Sequence, residues 1–255
     1  MTQPLLQLND VGRRYQDRWG VRHLTASLQP GELVGFLGPN GAGKTTTIKM
    51  VAGLLVPSEG TVVIDGHDVA AAPEQAKQSL AYIPDRPSIP PRLSARELLE
   101  YIAGLFHLPP SIVDDKGIPA LERFGLKGRE DDLLGTYSHG MRQRALLAAA
   151  WMRSPKMLLV DEPMVGLDPQ GARLVKQVLR EAADDGACVL VSTHTLGVAE
   201  EICDRVLVIR QGTLVADGPI ADLRQHLPEG NDVDDEATLE EVIIALTGAS
   251  DEVQT

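Results

Sequence analysis

A glycine-rich segment that ends in lysine and threonine, GPNGAGKT at residues 38–45, fits the phosphate-binding pattern GxxxxGKT at every fixed position. Its glycines let backbone N–H groups converge on phosphate oxygens, and a helix that begins here adds a favourable dipole. Lys44 places a positive charge near the β- and γ-phosphates, and the Thr45 hydroxyl can bind Mg²⁺. The alternative is a glycine-rich turn with a surface lysine. The candidate phosphate-binding residues of this motif are Gly38, Pro39, Asn40, Gly41, Ala42, Gly43, Lys44 and Thr45, and Thr46 directly follows it.

Two acidic residues, Asp161 and Glu162, directly follow the apolar run from Met157 to Val160. Carboxylates at the end of a strand beside a phosphate loop can serve a metal ion and a water molecule. We expect Asp161 to hold Mg²⁺, directly or through water, and Glu162 to polarise or orient an attacking water. Taken in isolation, such a pair is common as surface acids at the end of a strand.

Five short apolar runs predict buried strands, and several of them contain β-branched residues. The runs are 33–37, 61–64, 157–160, 187–191 and 206–209. Helical stretches lie between many of these runs, and one of them directly follows the phosphate loop. This alternation predicts an α/β protein with a largely parallel sheet, in which the phosphate loop connects a strand to a helix.

Residues 87–153 interrupt the alternation, and we predict that they form a helical insertion within the α/β domain. Ser94 and Glu97 have the spacing of a capping box, and the helix that follows is expected to end at Pro109–Pro110. Ser138 is the predicted N-cap of a second long helix, which is apolar on nearly all sides and therefore expected to be buried.

The chain divides into a predicted domain at residues 1–227 and a C-terminal segment at 228–255, which comprises an acidic linker and a short helix. Nine acidic residues and no basic residue follow position 228, so the rest of the chain carries only −3 of the net charge of −12. A nucleic-acid binder usually has a basic surplus, which disfavours nucleic acid as a partner.

Two further features limit the class of protein. Cys188 and Cys203 are too few for a disulfide framework and are expected to be reduced core residues of an intracellular protein. The longest apolar run, Ala145–Met152, is far shorter than the roughly 20 residues that a membrane span needs. We therefore expect a soluble chain that reaches a membrane only through a partner.

Three more motifs follow one another in a specific order. YSHGMRQR (137–144) precedes the strand that ends at Asp161, whereas GLDP (166–169) and STH (192–194) follow it. Together with the phosphate loop, this order resembles the ATP-binding subunits of ABC transporters over about residues 4–226. The resemblance implies the fold of an ABC-type P-loop NTPase, with a mixed, largely parallel sheet, an antiparallel β portion and a helical subdomain.

By this resemblance, two chains pair head to tail around two ATP molecules, as a homodimer or with a similar ATPase subunit. Residues 38–46 would bind the phosphates in one chain, and Ser138 and Gly140 would contact the γ-phosphate held by the other chain. A helix N-terminus capped by Ser138 suits an anion, so the capping role and the binding role are compatible. Asp168 would link the two sites across the dimer, or would simply begin a turn.

The resemblance also assigns residues around the nucleotide. His194 matches a histidine that contacts the γ-phosphate and holds Glu162 and the water in line, so the candidate catalytic residues are Glu162, His194 and Lys44. Tyr15 lies where the family places an aromatic side chain that stacks on adenine, and Trp19 is a rival for this role. Tyr15 could instead belong to the core.

Asp85 occupies a position where the family usually has glutamine. A carboxylate oxygen suits a hard cation, so Asp85 joins Thr45 and Asp161 as a candidate ligand of Mg²⁺. It could equally pair with Arg86 or Arg92.

Three other positions also depart from the commonest pattern. His139 and Met141 replace a glycine and a glutamine within the motif YSHGM, and Val165 replaces a common hydroxyl residue. We expect these changes to tune the rate of hydrolysis rather than to abolish it.

The C-terminal sequence LEEVIIALTG (239–248), the motif YSHGM and Asp85 are similar to bacterial export-type subunits. This similarity implies an ATPase that uses ATP and Mg²⁺ to power a separately encoded integral-membrane permease, on the cytoplasmic face of a bacterial membrane. Two alternatives stay open, namely a non-transport ABC ATPase and a weakly catalytic, ATP-dependent dimerisation switch. The single cassette without a basic arm argues against the first, and the presence of Glu162 and His194 argues against the second.

Overall fold

The structure, a computed structural model, describes residues 3–226 and Val242. The predicted acidic linker and C-terminal helix at 228–255 lie outside the described residues, apart from Val242, which is helical and buried. The described residues form ten strands, β1 Leu6–Tyr15, β2 Arg18–Leu28, β3 Leu33–Leu37, β4 Glu59–Ile64, β5 His67–Asp68, β6 Leu80–Ile83, β7 Met157–Asp161, β8 Cys188–Ser192, β9 Arg205–Arg210 and β10 Thr213–Gly218. They also form seven α-helices, α1 Lys44–Val51, α2 Pro73–Ser79, α3 Ala95–Leu105, α4 Ile118–Arg123, α5 His139–Arg153, α6 Pro169–Asp184 and α7 Leu196–Ile202.

Six strands form the central sheet in the order β10-β9-β3-β8-β7-β6, and all neighbours are parallel except β9 and β10. Strands β3, β7 and β8 are buried along their whole length, which explains their continuous apolar sequences. Their carboxyl ends, at Leu37, Asp161 and Ser192, meet at one edge of the sheet. The phosphate loop, Glu162 and His194 therefore all follow strands that end at the same edge.

A second, antiparallel sheet has the order β2-β1-β4-β5. The resemblance predicted this antiparallel portion, whereas the apolar runs identified only β4 among its strands. The pairing of β1 with β2 is interrupted by bulges at Asp10 and His23, where φ is +50° and +51°. Helix α1 joins the two sheets, because Ile48 and Met50 are buried in a core that both sheets share.

Helix α3 confirms the predicted capping box. The Ser94 Oγ accepts a hydrogen bond from the Glu97 N–H at 3.1 Å, and the Glu97 carboxylate accepts one from the Ser94 N–H at 2.7 Å. The expected end of this helix at Pro109–Pro110 was wrong, because α3 ends at Leu105. His107 adopts a left-handed φ of +54°, and a left-handed residue cannot continue a right-handed helix.

Helices α3, α4 and α5 share one hydrophobic core with a face of the central sheet. Leu121 and Phe124 are fully buried there, and the Phe124 ring meets the Trp151 ring edge-on at a centroid separation of 6.4 Å. On the sheet side, the core includes Val160 of β7. The helices are thus packed on the strands that lead to the candidate site, while the subdomain boundaries at 87–153 stay a prediction.

In the part of the chain that the structure describes, no helix has both the length and the hydropathy that crossing a membrane requires.

The buried core of the helical region can be tested by truncating one side chain. Leu121→Ala is expected to lower the free energy of unfolding by about 2–5 kcal/mol, because it leaves a cavity in a fully buried position. Leu54→Ala removes the same atoms from a residue that is 62% exposed, and we expect a change within about 0.5 kcal/mol. Urea denaturation followed by circular dichroism measures both values. Equal losses in the two variants would contradict this assignment of the core.

Candidate nucleotide-binding and hydrolytic site

The phosphate loop connects β3 to α1, as the sequence predicted. Gly43 precedes α1 with a φ of +112°, and a Cβ at this position would lie 2.6 Å from the Gly20 carbonyl oxygen. A Cβ on Gly38 would collide with the carbonyl oxygen of Ile209. The first N–H groups of a helix have no partner within the helix, so the start of α1 can bind an anion. The loop therefore needs glycine at both positions to bring these donors into place.

Lys44 is the first residue of α1 and is only 8% exposed. Its ammonium group donates hydrogen bonds to the carbonyl oxygens of Gly38 and Pro39, the latter at 3.1 Å. Burial lowers the pKa of Lys44, whereas the negative charges of Glu162 and Asp161 act in the opposite direction. The side chain is therefore held on its own loop, with its charge close to two carboxylates.

A cavity of about 320 Å³ opens beside the phosphate loop, and it is lined by seven residues of the loop and by three acidic residues. The lining residues are Gly20, Pro39, Asn40, Gly41, Gly43, Lys44, Thr45, Thr46, Asp85, Asp161, Glu162 and Ser192. Gly38 and Ala42 belong to the loop but do not line the cavity. Gly38 contributes the carbonyl that Lys44 binds, and the buried Ala42 accepts a hydrogen bond from the Gly212 N–H at 2.8 Å.

Two lining residues, Gly20 and Ser192, were not among the predicted site residues. Ser192 ends β8 just before Thr193 and His194, so its place at a strand end beside the STH motif was a usable signal. Gly20 lies in β2 of the antiparallel sheet, and no local sequence pattern connects it with the phosphate loop. Its place in the site depends on how the two sheets pack.

Asp161 ends β7 and is 8% exposed. Burial raises the pKa of its carboxyl group, the negative charges of Glu162 and Asp85 act in the same direction, and Lys44 opposes them. Burial raises the pKa of the neighbouring Tyr82 phenol to about 12, and the negative charges of Asp161 and Asp85 act in the same direction. This side of the cavity is therefore a place where a bound cation would be stabilised.

Glu162 and His194 are brought together by the neighbouring strands β7 and β8. The His194 Nδ1 lies 2.8 Å from the Glu162 Oε1, and the Glu162 N–H donates a hydrogen bond to the Ser192 carbonyl at 2.9 Å. Glu162 has a φ of +47°, a left-handed conformation that is uncommon for residues with a side chain and that clusters at functional sites. The imidazole and the carboxylate thus orient each other at the edge of the cavity.

Asp85 follows β6 and lines the cavity with its side chain 36% exposed. The sequence offered Arg86 and Arg92 as partners of Asp85. Arg86 is within ion-pair distance, because its Nε lies 3.9 Å from the Asp85 carboxylate. Within residues 3–226, no three His, Cys, Asp or Glu side chains are arranged to hold a metal ion. Thr45, Asp161 and Asp85 nevertheless line one cavity, and their oxygens suit Mg²⁺, which takes few protein ligands and keeps several waters.

Ser138, Gly140 and Asp168 lie together in a second place, away from the cavity lining. Ser138 is exposed and caps α5, as predicted, by accepting a hydrogen bond from the Met141 N–H at 3.2 Å. Asp168 caps α6 by accepting one from the Gly171 N–H at 2.8 Å. These residues therefore do not line the cavity of their own chain, and Ser138 and Asp168 are exposed whereas Gly140 is buried.

Tyr15 is 45% exposed and ends β1 next to the cavity. A Cβ on Gly20, a residue that lines the cavity, would lie 2.9 Å from the Tyr15 ring. The Trp19 ring instead packs against Gly12, where a Cβ would lie 3.1 Å away. Of the two aromatic residues, Tyr15 is therefore the one that adjoins a residue of the cavity lining.

Comparison with known proteins agrees with this geometry. The sequence model of the ABC transporter family matches residues 21–165, more than half of the chain. The SkfA peptide export ATP-binding protein SkfE of Bacillus subtilis (strain 168) is 38% identical over 84% of this chain and 88% of its own length. The Nod factor export ATP-binding protein I of Burkholderia orbicola (strain AU 1054) is 37% identical over 84% of this chain and 70% of its own length.

A solved structure described as the ATP-binding subunit of an ABC transporter has the same fold. It matches with a TM-score of 0.88 at 32% identity, over 95% of this chain and 99% of that chain. The fold predicted from the motif order is thereby confirmed. The chain belongs to the ABC transporter family, as an ATP-binding and ATP-hydrolysing subunit that powers a membrane transporter.

Proposed function

We propose that this chain powers export through an integral-membrane permease encoded by a separate gene, on the cytoplasmic face of a bacterial membrane. Two similar proteins support the direction of transport, because they are named as export ATP-binding proteins, one for the SkfA peptide and one for the Nod factor. Both come from bacteria, and both match more than four-fifths of this chain.

ATP would lie along the phosphate loop, with its phosphates at the start of α1 and its adenine on Tyr15. The loop supports this placement, because Gly38 and Gly43 allow its backbone N–H groups to converge at the helix start. Lys44 lines the cavity and would neutralise charge that develops on the β- and γ-phosphates. Tyr15 adjoins Gly20 at the rim of the same cavity.

The observation that carries the hydrolytic role is the 2.8 Å contact between the His194 Nδ1 and the Glu162 Oε1 beside the phosphate cavity. Glu162 would polarise a water for in-line attack on the γ-phosphate. His194 would hold that carboxylate in place and contact the γ-phosphate. The left-handed backbone of Glu162 supports this role, because it directs the side chain at a cost that the fold must offset.

Thr45, Asp161 and Asp85 are the residues that would hold Mg²⁺, together with phosphate oxygens and water. A bound Mg²⁺ would neutralise part of the negative charge on the phosphates. The buried Asp161 fits such a role, since a cation favours the ionised carboxylate that burial disfavours.

A second chain would complete the site. Ser138 and Gly140 would contact the γ-phosphate bound by the partner's loop, and Asp168 would link the two sites. The support is that Ser138 and Asp168 are exposed helix caps that lie outside the cavity of their own chain. The N-terminus of α5, a helix of 15 residues, offers further donors to an anion.

The hydrolytic role of Glu162 predicts a separation between binding and turnover. Glu162→Gln is expected to lower kcat by about 100-fold or more, because the amide cannot polarise the water, while ATP affinity stays within about two-fold. The control Glu200→Gln makes the same chemical change at an exposed position on α7 and is expected to keep the rate of the unmodified chain. Phosphate release and equilibrium binding of a fluorescent ATP analogue measure the two quantities.

The same experiment separates hydrolysis from the alternative of a weakly catalytic switch. Turnover by the unmodified chain with its permease that is no higher than that of Glu162→Gln would contradict the catalytic proposal. Turnover by Glu162→Gln close to that of the unmodified chain would show that another residue activates the water.

The loop geometry predicts that Gly43 cannot be replaced. Gly43→Ala is expected to weaken ATP binding by about 10- to 100-fold, because the new Cβ meets the Gly20 carbonyl and the positive φ is strained. Gly104→Ala is the matched control, since Gly104 lies in α3 with open space around it, and we expect ATP affinity within about two-fold. Isothermal titration with ATP and Mg²⁺ measures both, and equal affinities would contradict the assigned loop.

A further inference from the structure

Two segments that the proposed function assigns to the partner's nucleotide interlock within one chain. We call Ser138–Met141 the signature turn and Val165–Asp168 the D-loop. A Cβ on Gly166 would lie 2.8 Å from the His139 Cδ2, and Gly166 has a φ of +74°. On the other side, a Cβ on Gly140 would lie 2.8 Å from a methyl carbon of Leu167. The backbone of each segment is therefore in van der Waals contact with a side chain of the other.

His139 carries a polar atom that this packing leaves without a partner. Its Nε2 is buried and makes no hydrogen bond within the described residues. A buried polar atom without a partner costs free energy, so a small rearrangement that gives a protonated Nε2 an acceptor is favoured. The Gly166 carbonyl oxygen is such an acceptor, because it faces the signature turn, 3.2 Å from the position that a Cβ on Gly140 would take.

A second side chain on α5, that of Gln143, also has buried polar atoms without hydrogen-bond partners among the described residues. Gln143 lies one turn after His139, is fully buried, and has neither its amide nitrogen nor its amide oxygen paired within the described residues. Three buried polar atoms on two side chains of this helix thus lack partners. Near the start of α5, two side chains therefore have polar atoms that can still gain hydrogen bonds.

We propose that His139 is a positioning residue of the ATP-bound dimer. It fixes the D-loop on the signature turn by donating an Nε2–H hydrogen bond to the Gly166 carbonyl when two chains close around ATP. The proposal rests on the proposed function, because Ser138 and Asp168 must meet the partner's nucleotide together. The glycine that the commonest pattern has at this position cannot make this bond. Histidine at position 139, in place of that glycine, would thus link the signature turn to the D-loop.

The test uses the full chain carrying Glu162→Gln, so that ATP-driven dimers accumulate, and measures the ATP concentration for half-maximal dimerisation by light scattering. His139→Phe keeps a ring but removes the donor, and it is expected to raise this concentration about three- to ten-fold. His139→Gln places an amide N–H where the Nε2–H was, and it is expected to stay within about two-fold of the Glu162→Gln parent. The affinity of the monomer for a fluorescent ATP analogue is expected to be unchanged in both.

A purely structural role would change different quantities. If His139→Phe unfolds at a lower temperature than the parent, His139→Gly takes its place, because it removes the donor with a residue common at this position in the family. If His139→Phe and His139→Gly both dimerise at the same ATP concentration as the parent, the proposal is overturned. It is also overturned if His139→Gln needs as much ATP for half-maximal dimerisation as His139→Phe. Failure of the parent itself to dimerise while it still binds ATP would instead contradict the proposed two-chain function on which this role rests.

Discussion

Lys44 is the one cationic side chain among the described residues that line the phosphate cavity, and three carboxylates, those of Asp85, Asp161 and Glu162, line the same cavity. A triphosphate that enters meets charge of its own sign, and partial burial strengthens that repulsion. In the proposed function, attraction would then come from fixed backbone N–H groups at the start of α1 and from a divalent cation. Nucleotide binding would therefore depend on a metal, and Glu162 would lie among acids beside the bond to be hydrolysed.

The fold supports this balance by bringing distant segments to one edge of the central sheet. Strands β3, β7 and β8 are parallel and fully buried, so their carboxyl ends deliver the loop, Asp161 and His194 to the same place. The antiparallel sheet adds Gly20, whose carbonyl leaves room only for glycine at position 43. The helical region packs on the face of the central sheet opposite to α1, where it forms one core with β7. This region also carries the signature turn. Packed elements therefore connect the strands that end at the cavity with the helix that begins at the signature turn.

Local chemistry explains what could be predicted from the sequence. The pattern GPNGAGKT requires a strand before it and a helix after it, and the strands that contribute most to the site are continuous apolar runs. The contact between Glu162 and His194 joins residues 32 positions apart, and only the motif order pointed to it. The place of Gly20, the early end of α3 and the contact of His139 with Gly166 depend on tertiary packing, which no local pattern encodes.

In the proposed dimer, each chain completes the nucleotide site of the other. A crystal structure of the Glu162→Gln chain with ATP and Mg²⁺ tests it most directly, through the distance from the Ser138 Oγ to the γ-phosphate bound at Lys44 of the partner subunit. We expect a hydrogen bond of about 3 Å, and Gly140 close enough for its N–H to contribute. A nucleotide whose phosphates contact one chain only, with Ser138 facing solvent in every copy, would contradict the claim.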